Sequence, residues 1–438
     1  MHSNIFFGDE NMIGIENRMI ASGINFKGIR DSKFKTLRLS VHFMLPVQKD
    51  QVAANGLLAF LLTRASQEYP DFTKLAQRLA ELYGASLNAD VSKLGDVQVL
   101  SISATGLSDR LTLNGEKISE ALANLLCSVL FNPLLENGQF PRESFLQEQR
   151  QTLEMLDAEY NDKRIYAKQR CEELMCAEEP YGVGRCGTKE QIAALSREDL
   201  LPAWKRLVET ARIEVMAMGD CNTTRIYELF CQAVAGLTRG EVRHCTTENV
   251  AAARTVKNEV ESMDVAQSKL VMGFRTGIAI PDSRLSAAKL MCTIFGGTPH
   301  SKLFLNVREK LSLCYYCSSQ LNSMKGIMLV QSGVETKNIE RAKEEILAQL
   351  QQMKDGDFSE DDIIAAKKSL CNSYKTLADS LGGLESWYLS QTFASTVRSP
   401  EESAAEINAV TKEEIVEAAR LVSLDTVYSL IGKEGSAQ

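Results

Sequence analysis

Four histidines, His2, His42, His244 and His300, are spread over 438 residues, and none lies within five residues of another. Zinc hydrolases place two histidines three to five residues apart, with a carboxylate between them or close by. No HExxH, HxxEH or HxH string occurs, so the usual hydrolytic zinc site cannot be drawn from this chain. A GxxxxGK[ST] phosphate loop and a GxSxG nucleophile elbow are also missing. Eleven cysteines remain, and only Cys314-Tyr315-Tyr316-Cys317 has CxxC spacing. A structural zinc needs four ligands and no second pair supplies them, so this stretch is expected to hold two buried thiols. On a regular strand, residues three apart point to opposite faces.

The elements that would carry these residues alternate. Lys35–Pro46 has a period-2 strand pattern through Leu37, Leu39, Val41, Phe43 and Leu45. Gln51–Ser66 reads as an apolar helix, and Phe72–Tyr83 as a second one closed by Gly84. Ser86–Ser92 and Val97–Gly106 read as strands joined at Leu94-Gly95-Asp96. Helices are expected at Ile118–Phe131, at Pro141–Cys176 with a break near Tyr160–Lys163, and at Lys189–Leu195 and Arg197–Leu207. Ile213–Met218 ends the first half as a strand.

The second half repeats the order. Gln267–Arg275 is a strand, Ser283–Phe295 a helix ending at Gly296-Gly297, and Ser301–Leu311 another helix. Strands Leu313–Ser319 and Ile327–Gly333 follow, then helices at Lys337–Lys354, Ser359–Ser380 and Thr411–Leu421, and a last strand at Thr426–Ile431. Phe140-Pro-Arg-Glu-Ser-Phe-Leu echoes Phe358-Ser-Glu-Asp-Asp-Ile-Ile, and Ser196-Arg-Glu-Asp-Leu-Leu echoes Thr411-Lys-Glu-Glu-Ile-Val. Both members of the second pair have the form of N-caps with acidic first turns. The offsets, 218 and 215 residues, are close enough to imply one module used twice. The expected fold is therefore α+β: two tandem homologous modules, each a mostly antiparallel sheet flanked by helices. The modules are expected at 1–235 and 261–438, with the polar stretch 236–260 as linker.

Composition narrows the function. The net charge is −8, from 49 basic and 57 acidic residues, which argues against nucleic-acid binding. Apolar runs such as Leu57–Leu62 are far shorter than the ~20 residues that cross a membrane. The first ten residues lack a basic segment followed by an apolar core, so no secretory signal is expected. An odd number of cysteines at irregular spacing suits a reducing, cytoplasmic setting.

Two tandem modules in this order resemble the insulinase and mitochondrial-processing-peptidase metallopeptidases, the pitrilysin-like inverzincins. The likeness is carried by Gly296-Gly297, Ser301-Lys302-Leu303-Phe304 and Val307-Arg308-Glu309-Lys310-Leu311-Ser312-Leu313-Cys314-Tyr315, similar to the family's GG…SRLF…VREKxGLAY segment. Glu179-Pro180-Tyr181-Gly182 followed by Gly187-Thr188 resembles its HPYG…GT segment. Active members carry HxxEH on the first helix of the first module: two histidines on one helical face bind zinc, and the glutamate activates its water. Here that segment is Gly56-Leu57-Leu58-Ala59-Phe60-Leu61-Leu62-Thr63, so the ligand positions hold Ala59 and Thr63 and the base position holds Leu62. The family's third ligand falls within Leu153–Asp157, near Glu154.

The resemblance thus implies a metal-free member that needs no cofactor of its own, with zinc only in a partner subunit. Arg308 and Tyr315 match the family's Arg/Tyr pair, which contacts substrate near the zinc of a facing module; both can donate to a carbonyl or a developing oxyanion. Ser312 stands where the family has Gly, and Cys314 where it has Ala. Gly296–His300 is either a short relative of a substrate-guiding loop or a plain helix end. Ser86–Ser92 is either an edge strand open to extended peptides or an internal one. The implied function is the non-catalytic subunit of a heterodimeric zinc peptidase. It would close half of a chamber around peptides or small proteins with an HxxEH-bearing partner. The alternative is a pseudo-peptidase scaffold, for example one associated with translation elongation factor modification.

Overall fold

The computed structural model describes residues 14–432. In chain order the first elements are β1 (Gly14–Ala21), β2 (Ile24–Arg30), β3 (Thr36–Pro46), α1 (Val52–Leu61), α2 (Phe72–Glu81), β4 (Ser86–Leu94), β5 (Val97–Leu107), α3 (Ile118–Phe131), α4 (Arg142–Asn161), α5 (Lys163–Met175), α6 (Lys189–Ala194), α7 (Leu200–Thr210), β6 (Arg212–Gly219) and α8 (Thr223–Val234). They are followed by β7 (Lys257–Met263), β8 (Ser268–Arg275), α9 (Leu285–Cys292), β9 (Cys314–Asn322), β10 (Ile327–Val334), α10 (Ile339–Asp355), α11 (Glu360–Ala378), α12 (Leu381–Ser390), α13 (Pro400–Ala409), α14 (Lys412–Leu421) and β11 (Ser423–Gly432).

The chain divides into two compact units. One runs through Leu156 and resumes at Val183–Thr246; the other takes Asp157–Gly182 and everything from Thr247. The first holds a six-stranded sheet in the order β1-β2-β6-β3-β5-β4, the second a five-stranded sheet in the order β7-β11-β8-β10-β9. In each, one pair is parallel, β2 with β6 and β7 with β11, and the other pairs are antiparallel. The same path, read β2-β6-β3-β5-β4 and β7-β11-β8-β10-β9, is traced twice. This is the α+β two-module architecture. Each sheet has its own apolar core, built on Leu37, Leu39, Val41 and Phe43 in the first and on Leu270, Met272, Phe274 and Val330 in the second.

Local chemistry sets the boundaries. The long polar–apolar stretch after Pro141 breaks where Asp162 caps α5, its carboxylate accepting from the Arg164 and Ile165 amides. Ser196 and Thr411, the echoing residues, both head capping boxes with acids three residues on. Gly95 turns the β4–β5 hairpin with a left-handed φ of 58°.

Several elements went unread in the sequence. The expected linker 236–260 ends in β7, a largely exposed parallel edge strand, Lys-Asn-Glu-Val-Glu-Ser-Met, with no apolar alternation to betray it. Residues 239–245 are anchored in the first unit: the Arg239 guanidinium donates to the Ala211 carbonyl at 2.6 Å, and the Arg243 amide to the Thr210 carbonyl at 2.8 Å. The second unit also takes in residues 157–182, which the sequence division puts in the first module. There α5 packs on β8 and β11, with Ala167, Cys171 and Met175 buried against Val271, Leu329 and Tyr428.

Gly296 sits where the helical chain from α9, continued to Gly297, presses on β9. A Cβ there would come within 2.7 Å of the Ser319 amide nitrogen and 2.7 Å of Leu303, whereas one on Gly297 meets nothing closer than 3.5 Å. Neither glycine is left-handed, so Gly296 serves close approach and neither forms an αL cap. Gly296→Ala is expected to cost about 1–3 kcal/mol by overpacking and Gly297→Ala under ~1 kcal/mol, read from denaturant midpoints of the two variants.

Candidate functional site

The helix that would carry zinc ligands is core. Ala59 and Leu62 are 0 % and 1 % exposed, in the apolar cluster that backs β3 and β5. Helix α1 ends at this point: Leu62 closes it, and the Thr63 hydroxyl donates to the Phe60 carbonyl at 2.8 Å. The three motif positions therefore offer two hydrocarbon side chains and one hydroxyl tied to its own backbone. They do not fit a zinc ion, and no step of hydrolysis can be routed through them.

The next residue is a cation. Arg64 pairs through Nε with Glu148 on α4, donates through Nη2 to Gln151 at 2.6 Å, and lies 5.2 Å from the centre of the Phe72 ring. Burial pushes the Glu148 carboxyl up, and Arg64 opposes that shift. Glu154, the acid near the expected third-ligand position, points away: its side chain is 68 % exposed, 3.7 Å from Arg150. The half-buried residue of that stretch nearest the core is Met155, whose sulfur lies 3.7 Å from Arg185. Among the described residues no group of three or more His, Cys, Asp or Glu side chains could hold a metal ion.

The histidines divide similarly. His42 is buried on β3 between two hydroxyls, Ser101 at 2.8 Å and Ser40 at 3.0 Å. His244 and His300 are exposed, and His2 lies outside the described residues.

Arg308 and Tyr315 lie in the second unit. Arg308 is on the wide helical turn Leu303–Lys310, with its side chain 40 % exposed, 3.5 Å from Glu309 and stacked 4.5 Å over the Phe304 ring. Tyr315 is 63 % exposed, and a register shift explains why. Tyr316 pairs with Gly333 and Cys314 with Val334, so Tyr315 is an extra residue, a β-bulge. The bulge also corrects the expectation that residues three apart face opposite ways. The added residue restores parity, and Cys314 and Cys317 are both buried in the same core. Their thiols face each other: Cys317 pulls Cys314 down to about 7, with Arg308 a lesser influence, while Cys317 itself is pushed up. Among the described residues no hydrogen bond joins Arg308 to Tyr315, and the two flank one strand start. Between them Ser312 takes the left-handed conformation, φ 50°, that a glycine would adopt without strain.

The Glu179-Pro-Tyr-Gly segment has a structural use that its sequence did not announce. Glu179 takes Arg275 bidentately, at 2.6 and 3.2 Å, and Lys325 at 2.7 Å. Arg275 also reaches Asp425 at 2.8 Å and the Met175 carbonyl at 2.9 Å. Arg275, Lys325 and Asp425 are buried, and the Glu179 side chain is 9 % exposed. Burial alone would raise the Glu179 carboxyl, but Arg275 and Lys325 outweigh it and hold it below the usual glutamate value. Gly182 closes the turn, since a Cβ would meet the Cys176 carbonyl oxygen at 2.3 Å. Sequence reasoning also passed over Gly182-Val-Gly-Arg-Cys-Gly187, which has the GxGxxG spacing of a dinucleotide loop. It follows a 3-10 turn at Pro180–Gly182 rather than a strand, and the helix after it, α6, has six residues; neither suits that use.

A family profile described as "Peptidase M16 inactive domain" matches residues 194–370. A Bacillus subtilis protein described as "Probable inactive metalloprotease YmfF" is 34% identical over 95% of this chain and 97% of its own. A conserved protein of Enterococcus faecalis has a solved structure that superposes with a TM-score of 0.88 at 31% identity, covering 96% of this chain and 99% of that one. An M16 inactive-domain structure from Pseudomonas fluorescens shares the fold, with a TM-score of 0.78 at 16% identity over 97% of this chain and 100% of its own. With Ala59, Leu62 and Thr63 in place of the zinc motif, the chain belongs to the M16 metallopeptidase family as one of its inactive members.

Proposed function

We propose that the chain is the non-catalytic subunit of a heterodimeric zinc peptidase. It closes part of a chamber around peptides or small proteins, and Arg308 and Tyr315 serve the site of an HxxEH-bearing partner. The observation that carries this reading is an asymmetry. The zinc helix has become hydrophobic core, yet Arg308 and Tyr315 remain exposed, and among the described residues the one ion pair either makes is Arg308 with Glu309. The bulge turns Tyr315 out to solvent at the start of β9, close in sequence to an exposed arginine, which is the placement of groups kept for an outside ligand. β4 adds a place for substrate: among the described residues it is an edge strand paired with β5, and although Arg185 takes its Val91 carbonyl at 3.0 Å, its more exposed first half, Ser86–Asp90, is where an extended peptide would add. None of the eleven cysteines is joined in a disulfide among the described residues, which supports a cytoplasmic setting, and no described helix is long and apolar enough to cross a membrane.

The test is reconstitution with an HxxEH-bearing chain of similar length. The expected result is a one-to-one complex that contains about one zinc and cleaves peptides, while this chain alone contains none. Stoichiometric zinc or peptidase activity in the isolated chain overturns the reading. Failure to associate with any such partner leaves the scaffold alternative.

A further inference from the structure

The second unit holds an open cavity of about 610 Å³ between α5, α9, the β9–β10 hairpin, α11, α12, α13 and the loop 391–398. That volume is ordinary for a small-molecule or short-peptide site. Its aromatic wall is fixed in place. Tyr374 and Trp387 meet edge-to-face at 4.9 Å, and the Trp387 indole donates to the Arg398 carbonyl at 2.8 Å. Gln391 clamps the same residue, donating to its carbonyl at 3.0 Å and accepting from its amide at 2.8 Å.

The charges along the wall are matched, with one exception. Glu172 pairs with Lys168 at 3.6 Å, Asp282 with Arg284 at 2.6 Å, and Glu406 with Arg398. Lys289 has no such partner. Its ammonium reaches only the Tyr374 hydroxyl, at 3.5 Å, and the faces of Tyr374 and Trp387, 5.8 and 5.9 Å from the ring centres. Among the described residues no carboxylate forms an ion pair with it. Burial lowers its affinity for a proton, and Glu406, held by Arg398, counters this only from a distance. A desolvated cation without a counter-ion is costly, and an incoming anion relieves that cost.

We propose that this cavity binds an organic carboxylate with an apolar or aromatic body, its acid group on Lys289 and its body against Tyr374 and Trp387. Such a group could be the C-terminus of a peptide or a free carboxylic acid. The site is independent of any partner subunit and of the role given to Arg308 and Tyr315.

Calorimetry on the full chain tests it with three probes: N-acetyl-phenylalanine, its amide, and N-acetyl-leucyl-phenylalanine. Both acids are expected to bind at least ~10-fold more tightly than the amide, the scale of one charge-assisted contact. Lys289→Met should lose that difference and Lys289→Arg should keep most of it. A tighter dipeptide acid identifies peptide ends as the ligand, and equal affinities identify free acids. Equal binding of acid and amide to the native chain overturns the proposal. So does the absence of binding by any probe up to ~10 mM, or an unchanged affinity in a folded Lys289→Met variant.

Discussion

Glu179→Ala is expected to lower the unfolding free energy by about 3–5 kcal/mol, the usual cost of stripping one partner from a buried ion pair. The variant leaves Arg275 with one carboxylate, Asp425, beside the Met175 carbonyl, and Lys325 on the Glu248 carbonyl. Both cations are almost wholly inaccessible to water, so solvent cannot replace the lost carboxylate. The matching control is Glu154→Ala, an exposed acid 3.7 Å from Arg150, expected to change stability by less than ~0.5 kcal/mol. The sign of the pH dependence follows from the depressed Glu179 carboxyl. Its contribution is fully present above the unfolded-state value near 4.5 and is lost as pH falls through the lower folded-state value. Glu179→Gln should therefore be less stable than the native chain at pH 7, and the gap should narrow as the solution is acidified. A gap that stays constant from pH 7 to pH 3 would show that the carboxylate charge is not what these cations require. Denaturant titrations of both chains across that range decide it.

How much of this was legible in the sequence depends on the range of the forces involved. Caps and turns are local, and they were readable: the break near 160–163, the capping boxes at Ser196 and Thr411, and the turn at Gly95. Asn222 at the start of α8 and Ser399-Pro400 at the start of α13 carry signals of the same kind that went unused. β1 and β2 are joined by Ser22-Gly23, with Gly23 left-handed at φ 68°, and that too was a usable turn signal. β7 had no local signal, because an exposed parallel edge strand needs no apolar alternation. The site divides along the same line. What Ala59, Leu62 and Thr63 lack follows from their chemistry alone. The Arg64–Glu148 pair joins residues 84 apart, and the Arg275 contacts span 96 and 150 residues, distances at which no spacing rule acts. The bulge at Tyr315 arises from pairing with β10 and cannot be read from β9 by itself.

In a reconstituted heterodimer, Arg308→Ala and Tyr315→Phe are each expected to cut turnover ~10²–10³-fold, the effect of losing one donor to a developing oxyanion. Neither change should disturb the fold. Among the described residues the Arg308 guanidinium pairs with the exposed Glu309 and stacks on the Phe304 ring, and the Tyr315 hydroxyl has no hydrogen-bond partner. Each should therefore shift stability by less than ~1 kcal/mol. A structural role would give the opposite pattern, with weakened association, a lower melting temperature and activity lost only in proportion to the complex. Loss expressed in kcat, with KM little changed, would place the donors on the transition state rather than on bound substrate. Arg308→Lys adds a finer test, because an ammonium keeps the charge and loses the planar fork, so it should restore only part of the lost turnover. Turnover and complex mass, measured together on the three variants, separate these cases. Native turnover from Arg308→Ala and Tyr315→Phe in intact heterodimers would remove the chain from catalysis. The exposed bulge would then be a surface for some other contact, and the pseudo-peptidase scaffold would be the reading that remains.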